Sequence, residues 1–202
     1  MLRSAQSITR FHDDMLAQPD GPATQARMAD PLWQAIADNH RYNTLLWAEE
    51  DRARRTDVAA IAIAACKQLI DRYNQKRNDA IEAIDEALLQ SLAHFTPRDN
   101  ARLHSETAGA MIDRVSILGR KVFHMRVQAH RQEAGHEHVS ACQAKLQRLA
   151  AQRVDLAQCL DTLLDECETG LAYFKVYRQY KMYNDPTLNP CLYQAAAPAP
   201  AT

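Results

Sequence analysis

Only five glycines interrupt 202 residues, and valine, isoleucine and threonine do not gather into short alternating runs. Strands need that alternation and the turns between them need glycine, so this pattern predicts an all-α chain. The few breakers divide it. A first amphipathic stretch from about Leu2 to Leu16 stops at the Pro-Asp-Gly-Pro of residues 19–22. Asp30 is placed to cap a second helix with Pro31 in its first turn, running to about Arg55. Thr56 is the expected cap of a third helix that reaches Phe95 and stops at Thr96-Pro97. Ser105 or Thr107 opens a fourth, ended near Gly135, and a fifth runs from about Glu137 to Glu168. A short sixth helix is expected to carry Tyr173, Phe174, Tyr177 and Tyr180. These elements predict an elongated antiparallel bundle of about four long helices with shorter terminal helices. Residues 1–30 form an N-terminal helix and linker, 31–183 the bundle, and 184–202 an extended, partly disordered tail. Helices of this length also suit a homodimer that shares the bundle.

Charge narrows the partners. A formal net charge of −1 supplies no basic field for nucleic acid and no polybasic arm for a membrane. The longest apolar run, Val58 to Cys66, is far short of the roughly 20 residues a membrane span needs. No apolar signal core follows the first methionine, so a cytoplasmic location is expected. Cys66, Cys142, Cys159, Cys167 and Cys191 are odd in number and form no Cys-x-x-Cys pair, which predicts reduced thiols.

The informative signal is polarity on helical spacing. In the second helix His40, Asn43, Trp47, Glu50 and Arg54 share a face. Lys67, Asp71, Asn74, Asn78, Glu82 and Asp85 do so in the third, and Glu106, Asp113, Ser116, Arg120 and His124 lie on related faces of the fourth. A solvated charged face would explain any one stripe. Asparagine is a poor helix former, however, and two of them at i, i+4 argue for inward networks in which the side chains serve as each other's partners.

Several strings carry a resemblance: residues 40–54 (HRYNTLLWAEEDRAR), 74–85 (NQKRNDAIEAID), 105–125 (SETAGAMIDRVSILGRKVFHM), 152–156 (QRVDL) and 177–190 (YRQYKMYNDPTLNP). Over about Trp33 to Tyr193 the chain resembles the bacterial family DUF4254. The resemblance maps the family's asparagine–tryptophan–acidic pattern onto Asn43, Trp47, Glu50, Asp51 and Arg54. It maps a second pattern onto Asn74, Gln75, Arg77, Asn78 and Asp79, and a third onto Ser105, Glu106, Thr107, Gly109, Asp113 and Arg114. Lys121, His124, Arg178, Lys181, Asn184, Asp185 and Asn189 also fit. Gly119-Arg120 departs from the two apolar residues expected there, and a mid-helix glycine predicts a looser segment. The resemblance implies no known reaction and only a loose link to bacterial surface-glycan metabolism, hence to sugar nucleotides or glycans.

The preferred chemistry is a metal-free pocket for a small anionic or sugar-containing ligand. Arg54, Arg77, Arg114, Lys121 and Arg178 would clamp phosphate, Trp47 and the Tyr177/Tyr180 face would stack on a ring, and Asn43, Asn74, Asn78, Glu106 and Asp113 would meet hydroxyls. Asp113 is expected to pair with an arginine or lysine of another helix. Whether the chain is an enzyme stays open: an acid–base step would need Glu50, Asp113 or His124 with a tuned pKa. No GxSxG, P-loop or GxGxxG string occurs, and no cofactor is indicated. A non-enzymatic helical scaffold is the first alternative. A carboxylate–histidine metalloprotein is the second, although the two helical Glu-x-x-His pairs of di-iron bundles are missing (the one such string, Glu133 to His136, spans the break at Gly135) and His136, His138 and Cys142 offer only three ligands.

Overall fold

The computed structural model describes residues 4–19, 21, 25, 27, 29–180 and 182–193. Its chain is mostly helical. Helix α1 (Ala5–Ala17) begins at Ser4, whose hydroxyl accepts from the Ser7 N–H, and buries Ala5, Ile8, Phe11 and His12 at spacings of three, three and one. Helix α2 (Pro31–Ala53) starts as expected: the Asp30 carboxylate accepts from the N–H groups of Leu32 and Trp33, and proline fills the first turn.

Helix α3 (Ala60–Ser91) departs at both ends. Ala59 precedes it with no side-chain cap, and Thr56 is not used. Arg55 instead grips Asp57 through both carboxylate oxygens, at 3.0 and 2.7 Å, within the turn that Thr56 would have had to lead out of. Helix α4 (Ala108–Ala129) is capped by Thr107, whose hydroxyl accepts from Ala110. Helix α5 (His136–Glu168) follows a 3₁₀ turn (Gln132–Ala134) and Gly135, whose φ of 89° only glycine adopts freely.

The expected sixth helix at Tyr173–Tyr180 is not formed. Strand β1 (Arg102–Leu103) pairs in parallel with strand β2 (Ala172–Tyr173). Backbone N–H groups of Arg98, Arg102 and His104 donate to the carbonyls of Gly170, Leu171 and Tyr173 at 2.8–3.0 Å. Ala172 and Phe174 are buried while Leu171 and Lys175 are exposed, a period-two pattern that a helix would scramble. Beyond it residues 174–180 form no regular element. A 3₁₀ turn (Met182–Asn184) closes the region expected to belong to the bundle, and one helical turn, α6 (Pro190–Tyr193), lies in the tail where only extended chain is expected. Residues 194–202, the last nine of that tail, lie outside the described residues, as do Lys181 and parts of the 19–30 linker.

α2 lies along α3 and α4 along α5, with α1 laid over α4 and α5. The core holds Ile8, Phe11, Trp33, Ile36, Ile84, Leu88, Ile112, Val115, Leu160 and Leu163. Each such side chain contributes about 1.5–3 kcal/mol by leaving water. Phe11 meets Trp33 edge to face at 4.9 Å, which seats α1 on α2.

Two glycines in α4 set helix spacing. A Cβ on Gly109 would lie 2.6 Å from the Ile81 carbonyl oxygen, so α3 and α4 touch backbone to backbone there. A Cβ on Gly119 would lie 2.9 Å from the Arg153 guanidinium. The glycine expected to loosen the helix is therefore buried, and it leaves room for an arginine from α5. Among the described residues no helix is long and apolar enough to cross a membrane.

Candidate functional site

The inward stripe of α2 meets α4 in a buried polar cluster. Asn39 and Asn43 both donate to one oxygen of Asp113, at 2.8 and 2.9 Å. Asn43 also donates to the Ser116 hydroxyl at 3.0 Å, and His40 Nδ1 joins the same hydroxyl at 2.8 Å. Asp113 thus has two amide partners from another helix where a cation is expected. Two oriented N–H dipoles satisfy a carboxylate without burying a second charge beside it.

One layer further in, toward α1, the accounting changes. His12 stacks on His40 with ring centroids 4.7 Å apart and planes 12° from parallel. His12 has 0% exposure, yet neither of its ring nitrogens has a protein partner, and His40 Nε2 has none either. Burial holds the His12 pKa well below its usual value, reinforced by His40 and by Arg153. Burial, then Arg120 and Arg153, push His40 down to about 3. Both rings are neutral at physiological pH. Arg153 crosses from α5 to Asp13 (2.7 Å) and to the Thr9 carbonyl (3.0 Å).

On the outer side Arg120 donates to the Thr44 hydroxyl at 2.7 Å and to His124 Nε2 at 3.2 Å. The His124 ring lies 4.4 Å from the Trp47 ring and within 3° of parallel, and the guanidinium sits 5.6 Å from the same indole. Burial and then Arg120 lower the His124 pKa, against a smaller opposing pull from Asp51.

The candidate residues divide among four clefts. Asn43, Trp47, Glu50, Arg54, Asn74 and Arg77 converge on one of about 380 Å³ between α2 and α3. Arg54 is held there by Glu50, at 3.0 Å from its carboxylate. Among the described residues Arg77 has no ion pair, and its Nε is buried without a partner. Trp47 also walls a cleft of about 630 Å³ that contains Lys121 and His124. Glu106, Arg114 and Lys121 line a third, of about 650 Å³, in which both nitrogen–oxygen contacts of Arg114 go to Glu106, at 2.8 and 2.7 Å. Asn78 faces a fourth, of about 300 Å³, with Asp85, Thr107 and Tyr177. Arg178 lies on the outer surface, bound to Glu82 and Glu86, and Tyr180 is exposed.

Asp85 is 2% exposed, and burial raises its pKa to about 6 against the hydrogen bonds from Thr107 and Gly109. Its oxygen accepts the Gly109 N–H at 2.6 Å, a clasp on the first turn of α4. Among the described residues no three His, Cys, Asp or Glu side chains form a metal-binding group, and the five thiols are free.

The model of a family of proteins of unknown function, DUF4254, matches residues 33–176. The chain belongs to that family. No curated protein and no solved structure matches this DUF4254 protein. The match ends short of Arg178, Lys181, Asn184, Asp185 and Asn189, so the C-terminal part of the resemblance is not covered by it. Asn39, His40, Asn43, Asp113 and Ser116 all lie within the matched DUF4254 stretch, whereas His12 and Asp13 come from α1 outside it. Asn39, His12, Arg153, Lys145 and Arg148 were not singled out by the sequence pattern. Asn39 stands four residues before Asn43, the same spacing that marks Asn74 and Asn78, and His12 shares a helical face with Ala5 and Ile8. Those two had a readable signal.

Proposed function

We propose that the chain binds a small anionic or sugar-containing molecule in the α2–α3 cleft, within the cytoplasm. The observation that carries this is Arg77. Arg54, Arg114 and Arg178, the other arginines of the sequence-derived set, are already ion-paired, whereas Arg77 lines the cleft with no ion pair among the described residues and a buried, unpartnered Nε. A guanidinium in that state favours a phosphate or carboxylate strongly, because each bond it makes is charge-assisted. Asn74 beside it offers both a donor and an acceptor to hydroxyl groups, Glu50 offers an acceptor, and the Trp47 indole gives a sugar ring an apolar wall. A phosphosugar or sugar nucleotide of surface-glycan metabolism has this combination.

Calorimetric titration with a panel of phosphosugars and sugar nucleotides tests the reading. Arg77→Ala is expected to weaken the best ligand about tenfold or more, the worth of one lost charge-assisted contact. A wild-type chain that binds no member of the panel overturns it. A second reading, a helical interaction protein that pairs with itself, draws on a different observation. Ile61 is 79% exposed on α3 and Tyr180 84%, with Met182 and Tyr183 also exposed nearby in the chain. Light scattering that reports a dimer, and a monomer for Ile61→Glu, would favour that reading.

A further inference from the structure

The cleft on the other side of Trp47 has a different chemistry, and we propose that it is a site for a flat aromatic anion, distinct from the α2–α3 cleft. It encloses about 630 Å³, within the range of small-molecule pockets. Its floor is apolar and already ordered. Trp47 and His124 lie parallel, and Met125 and Leu149 add apolar lining. The guanidinium of Arg120 can only donate, so His124 Nε2 must be the acceptor of their 3.2 Å bond. The imidazole proton then sits on Nδ1. The ring is neutral and fixed in orientation, and the stacked pair needs no ordering when a ligand arrives.

The rim carries the opposite character. Lys121 on α4, and Lys145 and Arg148 on α5, border the cleft, against the single carboxylate of Asp51. None of the three cations has an ion pair among the described residues, while Arg54, Arg102, Arg114 and Arg178 elsewhere on the surface all do. The placement repeats on both helices. On α4, Lys121 is followed at i+3 and i+4 by His124 and Met125. On α5, Lys145 is followed at i+3 and i+4 by Arg148 and Leu149. Each stripe thus sets a cation beside an apolar or aromatic side chain, and the two stripes face one another.

An occupant that satisfies both parts has a planar ring against the floor and a phosphate or carboxylate at the rim; nucleoside phosphates and aryl phosphates belong to this class. A neutral aromatic leaves the cations unused, and a small inorganic anion leaves the floor wet. Only Trp47 and Asp51 are shared with the α2–α3 cleft, so this site goes beyond the function proposed above and stands or falls separately.

The test titrates the full chain with 1-naphthyl phosphate by calorimetry, with 1-naphthol and inorganic phosphate as partial probes. Naphthyl phosphate is expected to bind the wild type at least about tenfold more tightly than either partial probe. The double variant Lys145→Ala, Arg148→Ala changes two exposed side chains and should keep the helical circular dichroism while weakening the probe about tenfold or more. Arg77→Ala should leave the affinity unchanged, which separates this cleft from the other. The proposal is overturned if wild type fails to bind the probe, if naphthol or phosphate alone binds as well, or if the double variant binds like wild type. It is equally overturned if Arg77→Ala removes binding.

Discussion

The two faces of the inner stripe of α2 bury polar groups under opposite rules. Toward α4, the Asp113 carboxylate is met by two asparagine amides, and Ser116 joins Asn43 to His40. Toward α1, the His12 ring is sealed with both nitrogens unmet, and Arg153 keeps a buried, unpartnered Nε. A satisfied network specifies how two helices meet, because any shift in register breaks several bonds together. An unsatisfied one costs about 1–3 kcal/mol per group. Histidine lowers that cost by staying neutral and by stacking its ring on a second imidazole. The contrast assigns orientation to the α2–α4 contact and vulnerability to the α1 side.

Acid should expose that vulnerability with the largest effect. His12 and His40 have folded pKa values below the unfolded value of about 6.5, so the unfolded chain binds more protons and stability falls with pH. Their contribution is complete above about pH 6.5 and is lost as pH falls toward 3, where His40 titrates in the folded state. Asp85 works in the other direction: its folded pKa of about 6 exceeds the unfolded value of about 3.9, so it offsets one of the two histidines between those limits. Stability therefore falls between pH 7 and 4.5: the His40 loss, at roughly 1.4 kcal/mol per proton per pH unit, exceeds the Asp85 gain, and His12 adds to the loss in the same direction. Urea midpoints across that range check it. His12→Phe should make the slope distinctly shallower, and an unchanged slope would break the comparison.

Next in size is the satisfied side. Asp113→Ala strands the Asn39 and Asn43 amides and should cost about 2–3 kcal/mol. Asp113→Asn should cost only about 1 kcal/mol, because one amide oxygen can accept both bonds that now converge on a single carboxylate oxygen. Equal losses for the two variants would mean that the charge, and not the acceptor, is what α2 recognises. The smallest effect is at the border of the two regions. Gly119→Ala gains about 1 kcal/mol of helix propensity but displaces Arg153 from its 2.7 Å contact with Asp13, so its thermal midpoint should barely move.

What could be read from the sequence was what is decided locally. Asp30-Pro31 and Thr107 cap their helices because a cap needs only the next three residues. The asparagine-bearing stripe of α2 also proved to face inward at Asn43. Thr56 failed because Arg55 and Asp57 take the turn, a competition invisible to a cap rule. The β1–β2 pair was out of reach, since its partners are 70 residues apart (Arg102 with Ala172) and its alternation spans only a few positions. Asp113 was recognisable as a buried acceptor, but Asn39 and a cation were equally available to it in the sequence. Lys145 and Arg148 look like ordinary solvated charges until α4 is laid beside them.

The short strand pair has a mechanical consequence. The 3₁₀ turn joins α4 to α5 at one end, and the bonds of Arg102 and His104 to residues beyond α5 join the same two helices at the other. The hairpin is therefore a closed ring and not an open clip. Tension that would spread its arms is carried by a two-residue ladder and by the Arg102–Glu166 ion pair. The distance between α4 and α5, and with it the width of the cleft they border, is clamped from both ends. Any widening of that cleft has to come from α2 tilting and carrying Trp47 with it.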